Sequence, residues 1–301
     1  MKKKIRNAIE LLKRAARKYK KDDPVRLAGT MAYFTVFAMA PIIIIIVSAA
    51  GLLLGQESIQ DKVFVELSSL VGEQGTQYIK DLVQNYQSTQ KSIIGTILGV
   101  VLFIFTSTTF FKVMQNSLNF IWRIRVKPKH GILKALKDRL LSFGIILSMG
   151  FILLVSLLMD VALTFLGESL QLLFKNMMLV FIEIGNYVLS FGIITLMFAV
   201  IYKFLPDARI KWKVTWIGAF ITTILFMVGK LVIGLALGNS NVGVMYGAAG
   251  SLVIILMWVF YSSIIFFLGA EITQQYAEMY SHKIVPKHYA VEIEINEVNS
   301  N

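Results

Sequence analysis

Between Lys230 and Glu271 the chain reads LVIGLALGNSNVGVMYGAAGSLVIILMWVFYSSIIFFLGA, residues 231–270, forty positions without a formal charge. The hydrocarbon core of a bilayer is about 30 Å thick and takes about 20 apolar residues of helix. Forty is too many for one crossing. Gly238-Asn239-Ser240-Asn241 divides the run, because Gly and Asn favour turns. The stretch therefore reads as the end of one transmembrane helix and the whole of another. Continuous apolar runs, as opposed to alternating ones, point to helices and not to a barrel.

Working outward, the same reading finds four more crossings. The six predicted spans are 28–54, 93–111, 141–166, 178–202, 214–237 and 246–270. The first is not a signal peptide, since its apolar run is too long and follows a charged leader. The whole composition agrees. Apolar residues make up 56% of the chain, charged residues 16%, and mean hydropathy is +0.68. Soluble domains have about 25% charged residues, so a soluble enzyme or a disordered chain is excluded. Without a single cysteine, thiolate catalysis, iron–sulfur clusters and Cys-ligated zinc are excluded too. The expected fold class is all-α: a polytopic membrane protein with six transmembrane helices. No metal and no cofactor is expected.

Lysine and arginine orient the spans. Twenty-five fall in the leader, in 112–140, in 203–213 and in the tail, against four (Lys62, Lys80, Lys91 and Lys175) on the opposite side. The positive-inside rule then predicts both termini in the cytoplasm. The net charge of +12 is explained by this bias, and no motif suggests a nucleic-acid partner.

Outside the spans, residues 1–27 place Ile5, Ala8, Ile9, Leu12, Ala16 and Tyr19 at helical spacing, with Lys and Arg elsewhere. Such a helix lies on an anionic leaflet or packs beneath the bundle. Asp22-Asp23-Pro24 ends it. Residues 56–91 form two short amphipathic stripes and are expected to cap the outer side, as a lid or as a structural cover. The polar tail, 271–301, is expected to be exposed and poorly ordered from Ser281 on.

Charged groups inside a membrane are costly and are usually paired or functional. Asp160, Glu183 and Lys230 form one candidate cluster. At 1.5 Å per residue, Lys230 lies about 24 Å above the inner boundary and Glu183 about 8 Å below the outer one, so the two depths nearly meet. Lys230 is expected to pair with Glu183 or Asp160, the alternative being that each snorkels separately. At the inner boundary, Asn116, Asn119, Arg123, Arg125 and Lys127 are candidates for interhelical bonds or lipid headgroup contacts. Glu271 at the end of the last span opposes the helix dipole; a partner among Arg26, Lys203 or Arg209 would offset that cost. Asp207, beside Arg209 and Lys211, reads as a second clamp. Pro41 is expected to kink the first span. Gly247, Gly250 and Gly269 permit close packing or a mobile helix, as do Gly229, Gly234 and Gly238.

An ordered set of motifs also carries a resemblance. Leu27-Ala28-Gly29-Thr30-Met31-Ala32-Tyr33-Phe34 leads to Ala40-Pro41, followed by Ser117-Leu118-Asn119-Phe120-Ile121-Trp122. Then come Tyr202-Lys203-Phe204-Leu205-Pro206-Asp207, Trp216-Ile217-Gly218-Ala219, Tyr246-Gly247-Ala248-Ala249-Gly250, and Leu268-Gly269-Ala270-Glu271. Over residues 5–278 the chain resembles the YihY/virulence factor BrkB family of bacterial inner-membrane proteins. The resemblance implies six spans with cytoplasmic termini. A ribonuclease label attached to that family is not supported by this sequence, because Asp138 and Asp207 stand alone among cations and metal-dependent hydrolysis needs clustered ligands. The expected role is non-enzymatic: a transporter or transport-associated protein for an envelope lipid or other amphiphile, with membrane lipids and proteins of an envelope complex as partners. A cation–proton antiporter and a structural scaffold are the alternatives.

Overall fold

The computed structural model describes residues 2–38, 109–127, 177–238, 250–280 and 282–294, with isolated positions at 64, 68, 76–77, 80–81, 105, 144, 148 and 245–246; at several helix positions, 177–184 among them, only the backbone is described. Six helices carry these segments. They are α1 (Lys2–Lys21), α2 (24–38), α3 (109–121), α4 (Met177–Phe204), α5 (Trp212–Gly238) and α6 (Gly250–Met279). Four short strands join them: β1 (Ile124–Val126), β2 (Ala208–Arg209), β3 (Val285–Pro286) and β4 (Ala290–Glu292).

Three helices are long and apolar enough to cross a membrane, over Tyr187–Phe204, Trp212–Ala236 and Leu252–Met279. They are the last three of the six predicted spans. Of the first three, most residues lie outside those described, as does most of the predicted cap over 56–91. The upper part of α5 exposes Val228, Leu231, Val232 and Leu235. In water such a face would be a liability, and it is the surface expected of a helix solvated by acyl chains.

Glycine sets how closely α5 and α6 approach. A Cβ at Gly218 would overlap Thr273, one at Gly229 would overlap Ile265, and one at Gly269 would overlap Thr222 and lie 2.7 Å from Tyr202 Oη. These three contacts fix the antiparallel register, with Gly218 level with Thr273 and Thr222 level with Gly269. Gly234, grouped with Gly229 by spacing, meets nothing within 4 Å. Gly250 is buried at the first position of α6.

The described core gathers where α2 to α6 converge. Leu27 and Met31 of α2 meet Phe111, Met114, Leu118 and Ile121 of α3, then Tyr202 of α4 and Leu205 just after it, Val214 of α5 and Phe267 of α6. Aromatic rings reinforce it: Tyr202 stacks on Phe266 at 5.3 Å and meets Trp122 edge-on at 6.3 Å.

Three expectations are corrected here. The last helix does not end near Ala270 but continues to Met279, because Ile272, Thr273 and Ala277 are still buried and keep its inner face covered. The tail is not loose up to Glu292: β3 pairs with β2 (Ala208↔Pro286, Arg209↔Val285) and β4 with β1 (Ile124↔Glu292, Val126↔Ala290). Strands of two or three residues carry no readable alternation, so only the pairing partner makes them visible. Third, the inward face of α1 is Leu11, Ala15, Lys18 and Asp22, while Ile9, Leu12 and Ala16 are exposed.

Candidate functional site

The densest buried polar cluster among the described residues lies where α1 crosses α6. α1 stops at Lys21, Asp22 forms the turn and Asp23 takes a left-handed conformation (φ 52°), which Asp tolerates better than most residues. Pro24 then opens α2, a position where its missing N–H costs nothing. The Asp23 carboxylate accepts from the Arg26 backbone N–H at 3.4 Å and lies 3.2 Å from Arg26 Nε. This reversal leaves Lys18 and Asp22, one turn apart, on the face of α1 that meets α6.

Glu271 is fully buried within α6, about two turns before its C-terminal end. Lys18 Nζ lies 3.2 Å from its Oε2 and donates to the Ile121 carbonyl at 2.8 Å and to the Gln274 side chain. The Asp22 carboxylate faces Glu271 and pairs on its other side with Arg123. Arg123 is itself left-handed (φ 57°), and its guanidinium lies 5.3 Å from the Phe120 ring centre. A non-glycine residue in that region costs about 1–3 kcal/mol, a cost the pairing with Asp22 offsets. Two part-buried cations thus meet two buried carboxyl groups. Asp22 Oδ2 and Glu271 Oε1 still find no hydrogen-bond donor among the described residues. Next to this quartet, Tyr19 donates to the Ile264 carbonyl at 2.6 Å. Burial, with Glu271 nearby, holds the Tyr19 hydroxyl above its ordinary pKa, so it stays a donor.

A second knot ties α3 to the α4–α5 turn. Asn119 Nδ2 donates to Asp207 Oδ2 at 2.8 Å, and the Asp207 backbone N–H donates to Asn119 Oδ1 at 2.9 Å. The tail closes over it: Lys287 N–H donates to the Asp207 carbonyl at 2.9 Å and Lys287 Nζ to the Pro206 carbonyl at 2.8 Å. Trp122 Nε1 reaches the Ala270 carbonyl at 3.1 Å. These bonds join α3, the α4–α5 turn, α6 and the tail at one end of the bundle.

The remaining predicted site residues fall as follows. Asn116, Arg125, Lys127 and Arg209 are exposed, and the Lys127 backbone N–H bonds the Tyr289 carbonyl at 3.0 Å. Lys230 is half-buried on α5, and no ion pair joins it to a described residue. Asp160, Pro41, Gly247 and the Glu183 side chain lie outside the described residues. The partner expected for Glu271 was Arg26, Lys203 or Arg209; it is Lys18. Arg26 is held by Asp23, and Lys203 donates to the Ile210 carbonyl over the Trp212 ring. Nor is Glu271 at a helix end, so the dipole carries no part of its cost. Lys18, Asp22 and Gln274 were not singled out in the sequence. Their signal was the spacing Leu11, Ala15, Lys18, Asp22, a helical stripe half apolar and half charged.

A family model described as Virulence factor BrkB matches residues 15–293, which takes in Lys18, Asp22, Glu271 and both strand pairs. A UPF0761 membrane protein of Pseudomonas paraeruginosa is 28% identical over 278 residues, covering 90% of this chain and 63% of the relative. One from Photobacterium profundum is 26% identical, covering 91% and 83%. One from Psychromonas ingrahamii is 26% identical, covering 87% of each. The chain thus spans less than two thirds of the length of its Pseudomonas relatives. No solved structure matches it.

Proposed function

Because the chain belongs to the virulence factor BrkB family of membrane proteins, we propose that it is a six-span protein of the bacterial cytoplasmic membrane, with both termini in the cytoplasm, that handles an envelope lipid or other amphiphile in a non-enzymatic, transport-associated role. The observation that carries the reading is Lys230. It is a half-buried cation on a helix whose neighbouring positions, Val228, Leu231, Val232 and Leu235, are apolar and exposed. A lysine at that depth favours an anionic group that is itself at home in hydrocarbon. A lipid phosphate meets both conditions. Glu183 and Asp160, brought to similar depth by the helix rise, would set the position of such a headgroup. The polar knots formed by the described residues lie at the other end of α5.

The test is native mass spectrometry with lipid analysis of the protein in gently extracted membrane particles, wild type against Lys230→Met. A lipid class retained selectively by the wild type and lost from the variant supports the reading. The same lipids in both samples, with the variant folded, overturn it. A double-mutant cycle on Lys230→Met and Glu183→Gln addresses the pair: a coupling above ~0.5 kcal/mol is expected for groups in contact, and additivity removes Glu183 from the site.

A further inference from the structure

Helix α1 presents two different faces. Leu11 and Ala15 pack on Ile272 of α6, with Ile221, Leu225 and Met279 around them, and Lys18 and Asp22 extend that face into the buried quartet. Roughly 110° further around the helix, at 3.6 residues per turn, runs a second stripe of Ile9, Leu12 and Ala16. It is apolar and uncovered: Ile9 is 49% and Leu12 52% exposed. Beyond its far edge stand Arg6, Lys13, Arg17 and Lys20, all exposed. The one acidic residue of α1, Glu10, is paired with Arg14 at 2.8 Å between the cations and the buried face.

We propose that this second stripe is a membrane-docking surface for anionic phospholipid, with Ile9, Leu12 and Ala16 set among the acyl chains and Arg6, Lys13, Arg17 and Lys20 among the headgroups. A helix lying flat at a bilayer surface beside a bundle must show one face sideways to the bundle and another, about a quarter to a third of a turn away, to the hydrocarbon. The two faces of α1 have that relation. A helix bound only to the bundle would need one apolar face, and a helix bound only to lipid would need one broad one. The cationic border is unbroken by acidic side chains, so it complements a leaflet carrying negative headgroups, each Lys or Arg near such a surface favouring association. α1 is therefore held twice, to α6 by its buried quartet and to the leaflet by its stripe. The inference does not depend on what the protein transports.

The absence of cysteine makes a direct test simple. A polarity-sensitive fluorophore is attached to Leu12→Cys, and separately to Arg14→Cys on the opposite side of the helix, in the full chain. Both are reconstituted in vesicles of phosphatidylcholine alone and of phosphatidylcholine with phosphatidylglycerol. The expected result is blue-shifted emission from position 12, quenched by a lipid-borne quencher and stronger in the anionic vesicles, with position 14 remaining water-like. Replacing Arg6, Lys13, Arg17 and Lys20 by Gln should abolish the dependence on lipid charge. Water-like emission from position 12 in anionic vesicles overturns the proposal. So does a blue shift that lipid quenchers do not touch and that follows protein density, which would place a second copy on the stripe.

Discussion

Glu271 illustrates how a buried carboxyl group shapes its surroundings. Its carboxyl group is taken wholly out of water, with Lys18 as the cation beside it. Replacing Lys18 by Met removes its contacts to Glu271, the Ile121 carbonyl and Gln274, and the expected loss is about 2 kcal/mol. Replacing both Lys18 and Glu271 by Met should recover most of it, since an apolar pair of similar volume is often as stable as a buried ion pair. Thermal unfolding in detergent, followed by size-exclusion fluorescence, would read both; a double variant no more stable than the single one would show that the pair does more than balance charge. Asn119→Ala removes two bonds to Asp207 and should cost about 2 kcal/mol, whereas Asn116→Ala, at an exposed position one turn earlier, should be nearly silent. The sequence marked both asparagines equally. It could not tell them apart, because only the returning α4–α5 turn decides which one finds Asp207. Glu271 was legible as a buried carboxylate needing a cation, but its partner was not, because the reversal at Asp23 determines which leader residues reach α6.

At the scale of elements, long apolar helices were readable and short strands were not. Spans predicted at 178–202 and 214–237 became α4 and α5 with small shifts at their ends, since uncharged length is a direct physical requirement of the bilayer. α6 outran its prediction because a polar stretch, Glu271 to Met279, stays helical when it is buried against other protein and not against lipid. The glycine pattern gave the right principle and only part of the right positions: Gly269 and Gly229 are close contacts, Gly234 faces open space, and Gly218 was visible only as part of a motif. Gly269→Ala should therefore be destabilising by about 2 kcal/mol, because the new methyl meets Thr222, whose branched side chain has little rotamer freedom, and the Tyr202 hydroxyl. Gly234→Ala should be neutral or slightly stabilising, as helix propensity predicts. The same unfolding assay checks both, and equal effects would count against the α5–α6 register described here.

Among the described residues of the molecule, the polar bracing is concentrated at one end. The buried quartet, the Asn119–Asp207 knot, the Trp122 bond to α6 and both strand pairs all lie there, while the far part of α5 offers an apolar surface interrupted by Lys230. This division suits a membrane protein whose helices are braced at one boundary and solvated by lipid elsewhere. Its class could be read from charge-free length alone. The bracing could not, because it is built from contacts between residues far apart in sequence. A chain ending before Val285 would lose both strand pairs and the Lys287 bonds. It should unfold at a lower temperature and expose the β1 edge to proteolysis near Arg125, which mass mapping of the fragments would locate.

The pairing of Ile124 with Glu292 also has a bearing on how the protein is made. The two residues are about 170 positions apart, and such a closure is slow to find because the intervening chain must be ordered first. During synthesis β1 emerges long before its partner, and its backbone stays unpaired with β4 until the tail has been made. Assembly of the brace is thus a late step, set by the last strand to be made.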